Sequence, residues 1–269
     1  MVTRVGTLCE AAVAILSTPT PATKVALTAA TAAAWRSRKI AHVGRALPPD
    51  CPARPARPEI CPPNRMRRRK AGGGAGKVAF LHALAHIELN AIDLAWDLIA
   101  RFAAPMQPCA FFDDWVEVAA DEAEHFVMLE DLLGDLGSHY GALPAHSGLW
   151  DAAAATSGSL RERLAVVPLV LEARALETAP AMIERLAGTG DAKAAAVMAR
   201  ILEDEVAHVA TGVRWFHHVC AAEGAEPAAA FRAIVRRHFP KGLKAPFNEA
   251  ARDRAGFPSD YYKISALSE

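Results

Sequence analysis

Four glutamates and two histidines stand where apolar side chains belong. The stripe Leu81, Leu84/Ala85, Glu88, Ile92, Ala95/Trp96, Ile99 advances by three and four residues, the spacing of one helix face, and Glu88 interrupts its middle. Glu122 does the same within Trp115, Val118/Ala119, His125, Leu129, Leu132, and Glu172 within Ala165, Leu169, Leu176, Ala179, Ile183. Glu205 does so within Met198, Ile201, His208, Gly212, Trp215. His125 and His208 each follow a glutamate by three positions, so each Glu-x-x-His pair shares a face. An isolated ionised carboxylate in a core is costly, and four of them need a large compensating charge. Two arginines near these stripes, Arg174 and Arg214, are too few to neutralise them. Metal cations supply that charge, and four carboxylates with two imidazoles are a donor set for iron or manganese, unlike the thiolate-rich set of structural zinc.

The spacing repeats. Glu88 precedes Glu122 by 34 residues and Glu172 precedes Glu205 by 33, so a helix with Glu followed by a helix with Glu-x-x-His occurs twice. A glutamate from each of two helices and Glu-x-x-His from two others is the di-iron carboxylate plan. The expected ligands are Glu88, Glu122, His125, Glu172, Glu205 and His208. An aspartate stands before each motif glutamate, and such a carboxylate accepts the spare N–H of a ligand imidazole. Asp121 is thus expected to orient His208, and Asp204 to orient His125. Glu177 competes with Glu172, but its stripe (Val170, Ala173, Pro180, Glu184) is more polar, which favours Glu172. Arg174 is a candidate partner for the inward carboxylates. His86 is a candidate second-sphere group, although both it and His82 fall off the Glu88 stripe, which favours a packing role.

The elements that must position these residues follow from helix-length periods bounded by proline and glycine. Long helices are expected over 78–103, 111–133, 159–187 and 191–221, joined by short, long and short connections. That is an all-α, ferritin-like four-helix bundle with one long crossover. Pro180 inside the third helix is expected to kink it. Two short helices, about 6–16 and 21–38, come first, and a proline-rich stretch ending in Arg65–Lys70 and three glycines follows them. A shorter helix near 148–155, another near 226–238 and an irregular tail complete the chain. The expected organisation is an arm and basic linker (1–76), a di-metal bundle (77–223), and a C-terminal helix and tail packed on it (224–269).

Thirty basic and thirty acidic residues cancel, but they are segregated. Residues 1–78 hold 14 Lys/Arg against 3 Asp/Glu, residues 79–225 hold 8 against 22, and residues 226–269 hold 8 against 5. A basic arm wrapping its own acidic bundle accounts for this better than a grip on RNA phosphates, because no aromatics interleave the arginines for base stacking. Five cysteines form no CxxC pair and no zinc spacing, which suits reduced thiols in a cytoplasmic protein. No window is expected to reach an uninterrupted membrane-spanning length.

The segments His82–Asp97, Asp121–His125, Leu171–Leu176 and Asp204–His208, with Ser17–Pro21 and Pro246–Asn248, resemble the ferritin-like family catalogued as domain of unknown function 455. The resemblance covers nearly the whole chain and implies a di-iron fold; it supplies no substrate. Its broader relatives include ferritins, di-iron monooxygenases, ribonucleotide reductase small subunits and a tRNA hydroxylase. Only Tyr140, Tyr261 and Tyr262 occur, none on a bundle helix near a ligand, which disfavours a stable tyrosyl radical. The arm, tail and long insert disfavour a storage shell. The expectation is an oxidase or hydroxylase with two irons (or manganese and iron), O2 as co-substrate, a small organic substrate and an electron donor, homo-oligomerisation being compatible. A non-catalytic metal-binding protein and a tRNA-modifying hydroxylase are the alternatives.

Overall fold

The structure, a computed structural model, describes residues 6–62, 73–104 and 107–263. Among these every regular element is a helix, without a strand, and the chain divides into two compact units, one up to Ala154 and one from Ala155. The basic run Arg65–Lys70 and the stop at Pro105 lie outside the described residues.

The first unit begins with α1 (Leu8–Leu16), opened by a reciprocal capping box between Thr7 and Glu10. It continues with α2 (Pro21–Arg36), which has proline at its first position. Two long helices follow, α3 (Gly73–Arg101) and α4 (Cys109–Asp135), and then α5 (Gly148–Ala155). The α3–α4 hairpin is the frame on which the arm is laid. Trp96 Nε1 donates to Thr28 Oγ1 at 3.0 Å and Trp35 Nε1 to Asp113 at 2.7 Å, while Arg36 pairs with Glu117 through two guanidinium nitrogens. Lys24 of α2 is buried against Asp93 of α3, an ion pair shut away from water. The extended segment after α2 is tied down by Ala53 N–H to Leu16 C=O at 2.7 Å, and by Ala145 N–H to Glu59 C=O at 2.9 Å.

In the second unit the expected single third helix is two α-helices around a wider turn. α6 (Leu160–Val166) passes into a π-helical segment, Val167–Glu172, and then into α7 (Arg174–Gly188). Pro168 stands in this segment, with Gly212 of a later helix pressed close. The proline has no N–H to offer the carbonyl four residues back, and its ring crowds that carbonyl; the backbone widens here, and Ala173 N–H reaches Pro168 C=O at 3.1 Å. At Pro180, where a kink is expected, the helix continues. α8 (Ala192–Ala222) passes close to the wide turn at Gly212, where a Cβ would meet Pro168 Cβ at 2.7 Å.

The tail is more regular than expected. After α9 (Pro227–His238) come α10 (Glu249–Arg254) and α11 (Ser259–Tyr262). Phe231, Phe257 and Tyr261 pack edge-on and tilted against one another at 5.3–5.7 Å between centroids, a small aromatic core holding these short helices. One further expectation is corrected: the helix over Gly74–Arg101 is long and apolar enough to cross a membrane. Its most apolar window is 72% buried inside the protein, however, as in the core helix of a folded domain.

Candidate metal centre

In the first unit α3 and α4 bring three of the predicted ligands together. Glu88, Glu122 and His125 are 3%, 0% and 0% exposed, and each offers a ligand atom within 4.8 Å of the others. His125 Nδ1 lies 3.4 Å from Glu122 Oε2 and 3.7 Å from Glu88 Oε2. Glu88 Oε2 is buried with no hydrogen-bond partner among the described residues. Burial raises the Glu88 carboxyl to about 8, helped by the neighbouring Glu122 charge and opposed by His125. For His125 burial works downward, but Glu122 and Glu88 outweigh it and the imidazole is pushed up to about 12. This small buried volume therefore retains protons on groups that ordinarily lose them, which is the mark of a site short of positive charge. A cation fits: the donors are hard oxygens and one imidazole.

In the second unit α8 carries the matching pair. Glu205 and His208 are buried, and His208 Nδ1 lies 3.9 Å from Glu205 Oε2. Glu172 ends the π segment and is half-buried. Glu177, its competitor, is engaged by Arg252, whose Nε donates to Glu177 Oε1 at 2.8 Å. Arg174 lies 3.7 Å from the other Glu177 oxygen and donates to the Lys244 carbonyl at 2.6 Å.

Asp121 and Asp204 are half-buried on the helices of Glu122 and Glu205, and Asp204 accepts from Arg200 at 2.6 Å. His86 is bound to the loop after α4. Its Nε2 donates to the His146 carbonyl at 2.9 Å, its Nδ1 accepts from the Tyr140 hydroxyl at 2.8 Å, and burial lowers it to about 4. His82 accepts the Gly141 N–H at 2.9 Å in the same loop. These two histidines, one turn apart, hold a loop.

The Lys24–Asp93 pair was not among the sequence-derived candidates. Asp93 is raised to about 6 by burial, with Lys24 pulling it back. A lysine on an alanine-rich arm helix carries no local sign of burial; its partner is 69 residues away.

A family model described as "Protein of unknown function (DUF455)" matches residues 17–263. A protein of Haemophilus influenzae named "Uncharacterized protein" is 37% identical over 208 residues, covering 76% of this chain and 72% of the relative. No solved structure matches the chain.

Proposed function

The chain belongs to the DUF455 family, whose description assigns no activity, and from that premise we propose that it is a non-haem di-iron carboxylate protein. In this reading it is built on the ferritin-like four-helix plan and activates dioxygen to oxidise a small organic substrate. The observation that carries the reading is the buried group Glu88, Glu122 and His125, with ligand atoms within 4.8 Å of one another. The repetition of its Glu-x-x-His signature by Glu205 and His208 supports a second metal position.

Glu88, Glu122, His125, Glu172, Glu205 and His208 would hold the two ions. A ferrous pair held there would supply the electrons that reduce dioxygen, and a manganese–iron pair would suit the same donors. The chain's own contribution is positioning and exclusion of water. Glu88, Glu122, His125, Glu205 and His208, buried on long helices, have little freedom to rearrange, and a dry site strengthens every charge interaction within it. His125 and Glu88 would give up their retained protons on loading, so metal uptake should release protons.

Of the arm's described cations, Lys24, Arg36 and Arg38 face Asp93, Glu117 and Asp113 of their own unit, which supports an arm laid on its own acidic helices over a grip on a polyanion. An electron donor and a small-molecule substrate are the partners this reading requires.

The test is metal analysis of protein purified without chelators, then anaerobic Fe(II) loading and exposure to O2 in an optical spectrometer. The expected result is about two metals per chain and an oxygen-dependent charge-transfer band. Metal without an oxygen response would make this a non-catalytic metal-binding protein. A chain that refuses Fe(II) would overturn the assignment.

A further inference from the structure

In the second unit a cavity of about 170 Å3 lies beside the π segment. Leu171, Phe239 and Phe247 give it apolar walls, and Arg174, Lys244 and Arg252 give it three cations. Leu171 immediately precedes Glu172.

Arg252 is the exceptional residue. It is 2% exposed, and its guanidinium lies 5.1, 4.8 and 4.3 Å from the ring centroids of Phe247, Phe257 and Tyr262. Its Nε donates to Glu177, yet Nη1 is buried with no hydrogen-bond partner among the described residues. A buried charged donor left unsatisfied is costly, so a position of this kind is usually filled by a ligand or water. Glu177 cannot balance the charge alone, because Arg174 stands 3.7 Å from the same carboxylate and Lys244 adds a third cation at the cavity wall. The segment 239–248 that forms the far wall is held by Arg174 Nη1 donating to the Lys244 carbonyl.

We propose that this cavity binds a small organic carboxylate. Its apolar body lies against Leu171, Phe239 and Phe247, and its carboxylate sits among the positive charges of Arg174, Lys244 and Arg252. Guanidinium with apolar walls selects an organic acid over a neutral molecule, which leaves the cation unsatisfied, and over a bare inorganic anion, which leaves the walls wet. A cavity of about 150 Å3 accommodates benzene, so a monocyclic acid or an acyl chain of similar bulk fits. That this organic acid is the substrate of the metal centre rests on the reading above; that it binds does not.

The experiment is calorimetric titration of the full chain, as purified and iron-loaded, with benzoate, benzyl alcohol and inorganic phosphate. Benzoate should bind about tenfold or more tightly than either comparison ligand. Arg252→Gln should weaken benzoate binding by about tenfold or more. Leu243→Trp fills the cavity from a half-buried position with both members of the Arg252–Glu177 pair left in the chain, and should reduce benzoate binding similarly while leaving metal content and helical circular dichroism unchanged. Absent benzoate binding, equal binding of benzyl alcohol or phosphate, or unaltered binding in a folded Leu243→Trp protein would overturn the proposal. Benzoate binding by a chain that takes up no iron would leave the cavity assignment standing and sink the di-iron reading. Iron uptake without benzoate binding would do the reverse. In the iron-loaded protein, benzoate should shift the optical spectrum; binding without a shift would refute the substrate role.

Discussion

The two units carry the same signature on different backbones. In the first, Glu88, Glu122 and His125 come from two unbroken helices and are sealed from solvent. In the second, Glu205 and His208 ride an unbroken α8, but Glu172 ends a π-helical turn, is half-buried, and follows Leu171, which lines a cavity. A duplicated pattern thus has one rigid, closed copy and one copy with an irregular turn and an open neighbour. Metal-holding sites need the first property, since ligand precision comes from locked rotamers. In the proposed oxidase, turnover would need the second, because a substrate must reach the centre. The π turn costs regular hydrogen bonding and is the kind of irregularity that tends to occur at functional sites.

This contrast can be broken experimentally. The largest effect is expected from Glu122→Ala combined with Glu205→Ala, which removes one carboxylate from each copy. Metal content should fall from about two per chain to near none by plasma emission analysis. Glu172→Ala alone should lose less metal than Glu122→Ala alone, since its side chain is the less buried, and equal losses would erase the distinction between the copies.

A second test bears on the scaffold of the closed copy. Lys24→Ala leaves Asp93 buried without its cation, and urea denaturation should show a loss of about 3–5 kcal/mol. Lys24→Met with Asp93→Leu should recover most of it, because the pair is then replaced by apolar volume rather than broken. If the double variant is no better than the single one, the pair does more than fasten the arm.

For the second unit the corresponding change is Gly212→Ala. The added methyl would sit 2.7 Å from Pro168 Cβ, so α8 or the π turn must move. The expected cost is about 1–3 kcal/mol. A neutral result would mean that the π turn yields easily.

The smallest effect is chemical. Cys9 in the first unit and Cys220 in the second are fully buried, and burial pushes each thiol up to about 11. At pH 8 only on the order of one thiol in a thousand is then ionised, so alkylation of both should be slow, should quicken as pH rises, and should become complete on unfolding. Cys51 and Cys109 are exposed and should react first, as mass spectrometry would show. Early labelling of Cys220 alone would mark the second unit as the looser one.

Helix-forming segments could be read directly from the residues, because period and punctuation are local properties. Apolar stripes stepping by three and four, stopped by Gly134, Gly137, Gly188 and Gly190, place α4, α8 and the end of α7 to within a few residues. The Glu-x-x-His pairs are equally local, since three residues on a helix always share a face. The break in the third helix was only half visible. Pro168 and Pro180 look alike in a string of letters, yet the backbone widens at the first and continues at the second. Pro168 lies where α8 presses close at Gly212, a neighbour 44 residues further along the chain.

Residue type and periodicity alone establish a helical chain, six candidate ligands at matched spacing and a basic arm before an acidic middle. The helices and the Glu-x-x-His pairs depend on neighbours within one or two helical turns, and the matched spacing and charge segregation on counting along the chain. The burial of Lys24 against Asp93, the capture of Glu177 by Arg252, the use of His82 and His86 to hold a loop, and the cation-lined cavity at Leu171 came from the folded chain. Each joins residues about sixty to seventy-five positions apart, except the cavity, which gathers the two sides of the second unit. Local pattern says which side chains face inward; what they meet there is set by packing between elements distant in the chain, because desolvation and charge pairing are decided only when those surfaces close on one another.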